Sequence, residues 1–84
     1  MSIILFYIMD SKAIHIGQMI EQEMSRQLKS ASWLAQEIHL ERSSIYKIYH
    51  RDTLDVNLLV RISLCLGHDF FKDCSAYLEA EKTK

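Results

Sequence analysis

Residues 31–50 read ASWLAQEIHLERSSIYKIYH, and this stretch decides the fold. Apolar residues recur in it at helical spacing on both sides of a polar centre, at Leu34, Ile38, Leu40, Ile45 and Ile48. Residues three or four apart share one face of a helix. Leu40 stands alone among polar neighbours, which is typical of a turn that buries one residue. The pattern predicts two short amphipathic helices joined by a tight turn.

This spacing resembles the twenty-residue pattern of the lambda-repressor-like (XRE-type) helix-turn-helix family of DNA-binding regulators. The family's five apolar places fall on the five residues above, and its small fifth place is Ala35. Its ninth place is usually Gly, because the turn needs a positive φ. Here the residue is His39, which adopts a positive φ at a lower energetic cost than most non-glycine residues. The cap of its second helix is often Ser or Thr, and here it is Glu41. The resemblance covers residues 13–78 and implies a compact five-helix, all-α bundle that binds DNA.

Composition indicates one small helical domain. The chain has 84 residues, 49% of them hydrophobic, with two Gly and no Pro. A chain of this size buries about 60–65% of its extended surface, so self-association would add stability. No stretch reaches the roughly 18 apolar residues that a membrane span needs. Cys65 and Cys74 fall in apolar helical patterns, and we interpret them as structural cysteines of a reduced, cytoplasmic protein.

Charge is distributed unevenly. The net charge is −1, which does not by itself indicate a nucleic-acid binder. Residues 29–51 nevertheless carry four cations against two acids, a net charge of +2, namely Lys29, Arg42, Lys47 and Arg51 against Glu37 and Glu41. The positive excess therefore coincides with the motif.

The first nine residues form an apolar extension. Residues 3–9 read IILFYIM, and their β-branched and aromatic content favours a strand. An unpaired apolar edge invites pairing with a second copy, so one hypothesis is a strand that pairs across a homodimer. The alternative is that the native protein starts at Met9 and that the preceding residues are an artefact of upstream translation.

The remaining helices are predicted from caps and periodicity. A first helix is expected from Asp10 or Ser11 to about Leu28, with Gly17 at a close helix approach. Its inward residues are expected to be Ile16, Met19, Ile20, Met24 and Leu28. Ser30 is the expected cap of the second helix. Trp33 in that helix is expected in the core, the alternative being a binding aromatic.

Two further helices follow the motif. Asp55 is expected to cap the fourth and Gly67 to end it. Its inward stripe is Leu58, Leu59, Ile62, Cys65 and Leu66. Asp69 is expected to cap the fifth, whose inward stripe is Phe70, Phe71, Cys74, Tyr77 and Leu78. The helix-turn-helix domain is thus expected over residues 10–78, with a charged, fraying tail over 79–84.

The outer face of the motif's second helix carries the candidate base-reading residues. At 100° per residue, Ile45, Ile48 and Tyr49 point inward. The outward residues that match the family's base-reading places are Arg42, Ser43 and Lys47, and Tyr46 lies beside them. Arg or Lys donates to guanine O6 and N7 in the major groove. Flanking candidates for phosphate contacts are Lys29, Ser30, Ser32, His50 and Arg51. The alternative for every one of these residues is an ordinary solvated surface.

Other kinds of site find little support. The four histidines and two cysteines lack metal-ligand spacing, and no glycine-rich phosphate loop or paired-carboxylate site is present. We therefore expect no enzyme, no cofactor, no metal and no small-molecule substrate. The expected partners are double-stranded DNA and a second copy of the chain. The rival hypothesis is an antitoxin-like protein-interaction module that keeps the bundle without reading DNA.

Overall fold

A computed structural model describes residues 14–82, which form five α-helices and contain no strand. The helices are α1 (Ile16–Arg26), α2 (Ala31–Glu37), α3 (Arg42–Tyr49), α4 (Val56–Leu66) and α5 (Phe70–Lys82). The expected all-α class is confirmed for this part of the chain, in which no helix is both long and apolar enough for a bilayer span. The strand expected at residues 3–9 lies outside the described residues.

Helix α1 is shorter than the sequence predicts at both ends. The two residues before it are not helical, and Nδ1 of His15 caps its first turn by accepting a hydrogen bond from the Gln18 N–H. A helix that runs unbroken from Asp10 or Ser11 is therefore wrong. At the other end, Leu28 is 92% exposed rather than inward, because its φ of 57° turns the chain out of the helix.

Gly17 lies where α1 touches the end of α3. Its N–H donates to the carbonyl oxygen of Arg51 at 2.9 Å. A Cβ atom at Gly17 would lie 2.5 Å from the carbonyl oxygen of Tyr49 and closer still to that of Ile48. The close approach expected at Gly17 is confirmed, and it fixes the C-terminal end of α3 against α1.

The core draws on one face of every helix. Each helix contributes at least one fully buried residue, among them Ile20, Leu34, Ile45, Ile62 and Phe70. Ala35 is buried as the motif requires, and Trp33 is half-buried against the same core. The caps expected at Ser30 and Asp55 are confirmed, since each side chain accepts the N–H three residues later.

Besides Leu28, three apolar residues expected inside lie at the surface. Leu40 is 38% exposed, because its N–H turns back to the carbonyl oxygen of Ala35 and takes the residue off the inner face of α2. Phe71 and Leu78 are 38% and 55% exposed. They lie one position to the side of the line formed by Phe70, Cys74 and Tyr77, so the stripe of α5 that faces the bundle is narrower than predicted.

The last described residues are helical. Helix α5 continues through Lys82 and so includes residues 79–82 of the charged tail. A Lys82–Glu79 ion pair of 3.3 Å spans its last turn. Asp69 caps the helix as predicted, because its carboxylate accepts the N–H groups of Phe71 and Lys72. Cys74 and Cys65 are both free and half-buried, in agreement with structural cysteines.

A buried carboxylate organises the C-terminal end of α1. Glu23 is 7% exposed and accepts hydrogen bonds from Arg26 and from Gln27. The pKa of Glu23 is lowered to about 2. The bond from Arg26 is the largest cause, burial opposes it, and Gln27 and the nearby His68 contribute to the lowering. Glu23 is therefore charged inside the bundle.

The same cluster joins α1 to the last two helices. Gln27 Nε2 donates to the carbonyl oxygen of Leu66 at 2.8 Å, at the end of α4. His68 lies between two acids, with Nδ1 3.6 Å from Glu23 and Nε2 2.7 Å from Asp73 of α5. Polar contacts thus connect the C-terminal end of α1 with both α4 and α5.

Candidate nucleic-acid interface

Helix α3 has one buried and one exposed face. Ile45, Ile48 and Tyr49 are 0%, 4% and 8% exposed and contact the core. The opposite face carries the four residues that the sequence assigned to base reading, all of them exposed, namely Arg42, Ser43, Tyr46 and Lys47. The structure therefore brings these four side chains together on one side of one helix, beginning at its first residue.

The turn before α3 has the backbone geometry that the motif requires. His39 has a φ of 60°, the positive value expected at the ninth place. Its N–H donates to the carbonyl oxygen of Gln36 at 3.4 Å, and the Leu40 N–H donates to that of Ala35 at 2.9 Å. These two bonds form the Schellman arrangement, which ends α2 and starts a new chain direction. Glu41 then precedes α3 without a side-chain cap bond.

Two tyrosines pack against each other across the edge of α3. The rings of Tyr46 and Tyr49 are 5.9 Å apart and nearly perpendicular, an edge-to-face contact. Burial raises the pKa of Tyr49, and the charges of Glu21 and Tyr46 raise it further. Tyr46 itself is 49% exposed. The buried ring of Tyr49 thus supports an exposed phenol on the outer face.

The start of α2 carries three of the candidates for phosphate contact. The Ser30 hydroxyl accepts the N–H of Trp33 at 3.1 Å, so it acts as the cap. Ser32 is exposed in the first turn. Lys29 Nζ lies 4.6 Å from the centroid of the Trp33 ring, a cation–π contact. Trp33 therefore packs against the core, as expected, and also contacts an exposed cation of the chain itself.

His50 and Arg51 follow directly after α3, and both side chains are exposed. Both backbone polar groups of Arg51 form hydrogen bonds. The Arg51 N–H donates to the carbonyl oxygen of Ile48 at 3.0 Å, and its own carbonyl oxygen accepts the N–H of Gly17. The Arg51 side chain thus extends from a fixed point at the end of α3.

The positive excess of this region is solvent-exposed. Its four cations and two acids all lie at the surface, namely Lys29, Arg42, Lys47, Arg51, Glu37 and Glu41. Between residues 14 and 82, no ion pair joins one of these cations to an acidic side chain. Their charge is therefore available to an anionic partner.

Sequence reasoning missed one polar contact with this region. Arg61, on α4, donates from Nη2 to the carbonyl oxygen of Ile38 at 2.5 Å. The two residues are 23 positions apart, and nothing in the local pattern around Arg61 indicates the contact. It requires that α4 pack beside the end of α2.

No cluster of His, Cys, Asp or Glu within residues 14–82 has the arrangement of a metal site. The candidate site that the sequence predicted is the exposed face of α3 with the residues beside it. No family model matches the chain, and comparisons with curated proteins and with solved structures found no match either.

Proposed function

We propose that this protein binds double-stranded DNA in a sequence-specific manner, as a small transcriptional regulator with a lambda-repressor-like helix-turn-helix bundle. The observation that carries the proposal is the exposed row Arg42, Ser43, Tyr46 and Lys47 on a helix whose other face is buried. A helix with exposed cations at its start and one turn later suits the width of the major groove. The positive φ of His39 supports the same motif.

Each of the four side chains has a role that fits its chemistry. Arg42 and Lys47 donate hydrogen bonds to guanine O6 and N7, and Ser43 bonds to a base edge in either direction. Tyr46 contacts a thymine methyl group or a phosphate. Because Tyr49 supports the Tyr46 ring, that contact has a defined position.

Residues beside this face contact phosphates in the proposal. Lys29, Ser30, Ser32, His50 and Arg51 lie next to α3 in sequence or at the start of α2, and all are exposed. Such contacts orient the protein without reading sequence. With about four to six of them, the logarithm of affinity falls with the logarithm of salt concentration at about −0.9 per contact.

The regulator acts as a homodimer in this proposal. Two copies present their α3 helices about 34 Å apart and read half-sites one helical turn apart. An affinity adequate for regulation then comes from two modest contacts rather than from one extensive contact.

The test begins with selection of bound fragments from a random duplex library, followed by titrations of the selected and a random duplex. Arg42→Ala removes a base contact and is expected to reduce the preference for the selected duplex by about 1–3 kcal/mol. Arg51→Ala removes a phosphate contact and is expected to weaken binding to both duplexes about equally. Lys72→Ala, an exposed cation on α5, is the control and should change neither.

A preference that Arg42→Ala leaves untouched would show that the reading face is assigned wrongly. The result also has to hold at two or more salt concentrations, because affinity for random DNA depends strongly on salt.

A second candidate function is a protein-interaction module. Val56, Val60 and Leu64 recur four apart along α4 and are 63%, 39% and 77% exposed. An exposed apolar row of this kind suits a protein partner, and the net charge of −1 is low for a DNA binder. A gel-shift assay with random duplex at low salt separates the two candidates, because an interaction module would give no retardation.

A further inference from the structure

Residues 38–41 set the direction in which α3 leaves α2. The N–H groups of His39 and Leu40 close this turn on carbonyl oxygens of α2. The carbonyl oxygen of Ile38 points beyond the last turn, where a helix offers it no partner of its own. How this carbonyl is satisfied therefore affects the orientation of the whole connection.

Arg61 supplies the partner from a different helix. Its Nη2 atom donates to the Ile38 carbonyl oxygen at 2.5 Å. A guanidinium stays charged at every physiological pH, and a charged donor makes a stronger hydrogen bond than a neutral one. A positive charge is also favourable at the C-terminal end of α2, where the helix dipole is negative.

Besides the two backbone bonds, the connection is anchored by the side chain of Ile38, which is 1% exposed, and the residues after it have little side-chain support. His39 and Glu41 are exposed, and Leu40 is 38% exposed instead of being buried. Glu41 forms no side-chain cap for α3. The bond from Arg61 is thus a tertiary contact on a turn in which side-chain packing holds residues 39–41 only weakly.

We propose that Arg61 is a positioning residue for DNA reading. Its hydrogen bond fixes the 38–41 connection against α4 and so determines where Arg42 and Ser43 project from the first turn of α3. The proposal rests on the proposed function of α3, and Arg61 itself contacts no base.

The experiment uses the full chain with Arg61→Met, which removes the donors but keeps a long stem, and with Arg61→Lys, which keeps a charged donor. Lys72→Met on α5 controls for the loss of one positive charge. The first measurement is amide hydrogen exchange of Leu40 without DNA. Lys29 serves as an internal reference, because its N–H closes the same type of turn at the end of α1, on the Met24 carbonyl oxygen at 2.9 Å.

Arg61→Met is expected to accelerate exchange at Leu40 by about tenfold or more relative to Lys29, because one charge-assisted hydrogen bond is lost. Arg61→Lys should restore most of the protection. Unchanged exchange at Leu40 in Arg61→Met would overturn the proposal whether or not the protein binds DNA.

The second measurement is the ratio of affinities for the selected and the random duplex. Arg61→Met is expected to lower this ratio by about tenfold while changing the affinity for random DNA no more than Lys72→Met does. An equal loss on both duplexes would instead identify Arg61 as a phosphate contact and overturn the positioning role. Faster exchange with an unchanged ratio would overturn it too. A wild-type chain that binds no DNA would overturn the proposed function and, with it, the role of Arg61 in DNA reading. The exchange result would then show only whether Arg61 holds the turn.

Discussion

The two ends of helix α1 hold the bundle together by different physical means. At its N-terminal end, Gly17 brings the backbone of α1 directly against backbone carbonyl oxygens at the end of α3. At its C-terminal end, the charged Glu23 and the amide of Gln27 reach His68 and the end of α4. One contact depends on shape, and the other depends on charge and hydrogen bonding.

The two contacts hold different helices in place. The contact at Gly17 involves no titrating group, and it holds α3, the helix that carries the proposed reading face. The contact at Glu23 depends on an ionised carboxylate, and it holds α4 and α5. We therefore expect the first contact to be sensitive to side-chain volume and the second to be sensitive to pH.

The largest effect is expected from Gly17→Ala. The added Cβ meets three backbone carbonyl oxygens, those of Ile48, Tyr49 and Arg51, which are not free to rotate away. We expect a loss of about 3 kcal/mol or more in the free energy of unfolding, measured by urea denaturation. Gly67→Ala is the control, because Gly67 has a φ of 61° but open space around it, and should cost only about 1 kcal/mol. Equal losses in the two variants would refute the shape argument.

Acidification is expected to weaken the other end of α1. Because the folded protein lowers the pKa of Glu23 from 4.5 to about 2, the ionised carboxylate stabilises the fold above pH 4.5. That stability is lost as the pH falls from 4.5 towards 2. We expect about 1–2 kcal/mol, less than the full shift implies, because water screens the exposed Arg26.

Glu23→Gln isolates this contribution from the other carboxylates. Its difference from the wild type in free energy of unfolding at pH 5 should shrink as the pH falls towards 2. A difference that stays constant down to pH 2 would mean that the charge of Glu23 does not stabilise the fold.

The smallest effect is a gain from Leu28→Gly, at the C-terminal end of α1. Leu28 adopts a φ of 57° while 92% exposed, so it carries backbone strain without packing in return. We expect Gly to raise the free energy of unfolding by about 1 kcal/mol, measured by urea denaturation. Leu28→Ala keeps the strained Cβ and should give no gain. A loss of stability in Leu28→Gly would mean that the exposed side chain contributes to the fold.

The helix caps and the two faces of α3 were predictable because they depend on residues close together in the sequence. The caps at Ser30 and Asp55 and the left-handed Gly67 follow from single residue types at helix ends. The two faces of α3 follow from a period of 3.6 residues, which places Ile45 inside and Tyr46 outside. The assignment of these exposed residues to DNA, and the homodimer, stay predictions.

The sequence by itself determined which segments are helical and which face of each motif helix is apolar, because those properties depend on residues within one or two turns. Only the tertiary structure decided where α1 begins, since its first N–H groups donate to the carbonyl oxygens of Arg51 and Asp52. It also decided that Glu23 is buried and that Arg61 bonds to Ile38. Each of these cases involves a residue more than twenty positions away, His68 in the case of Glu23, and no local periodicity encodes which distant groups the packed chain brings together.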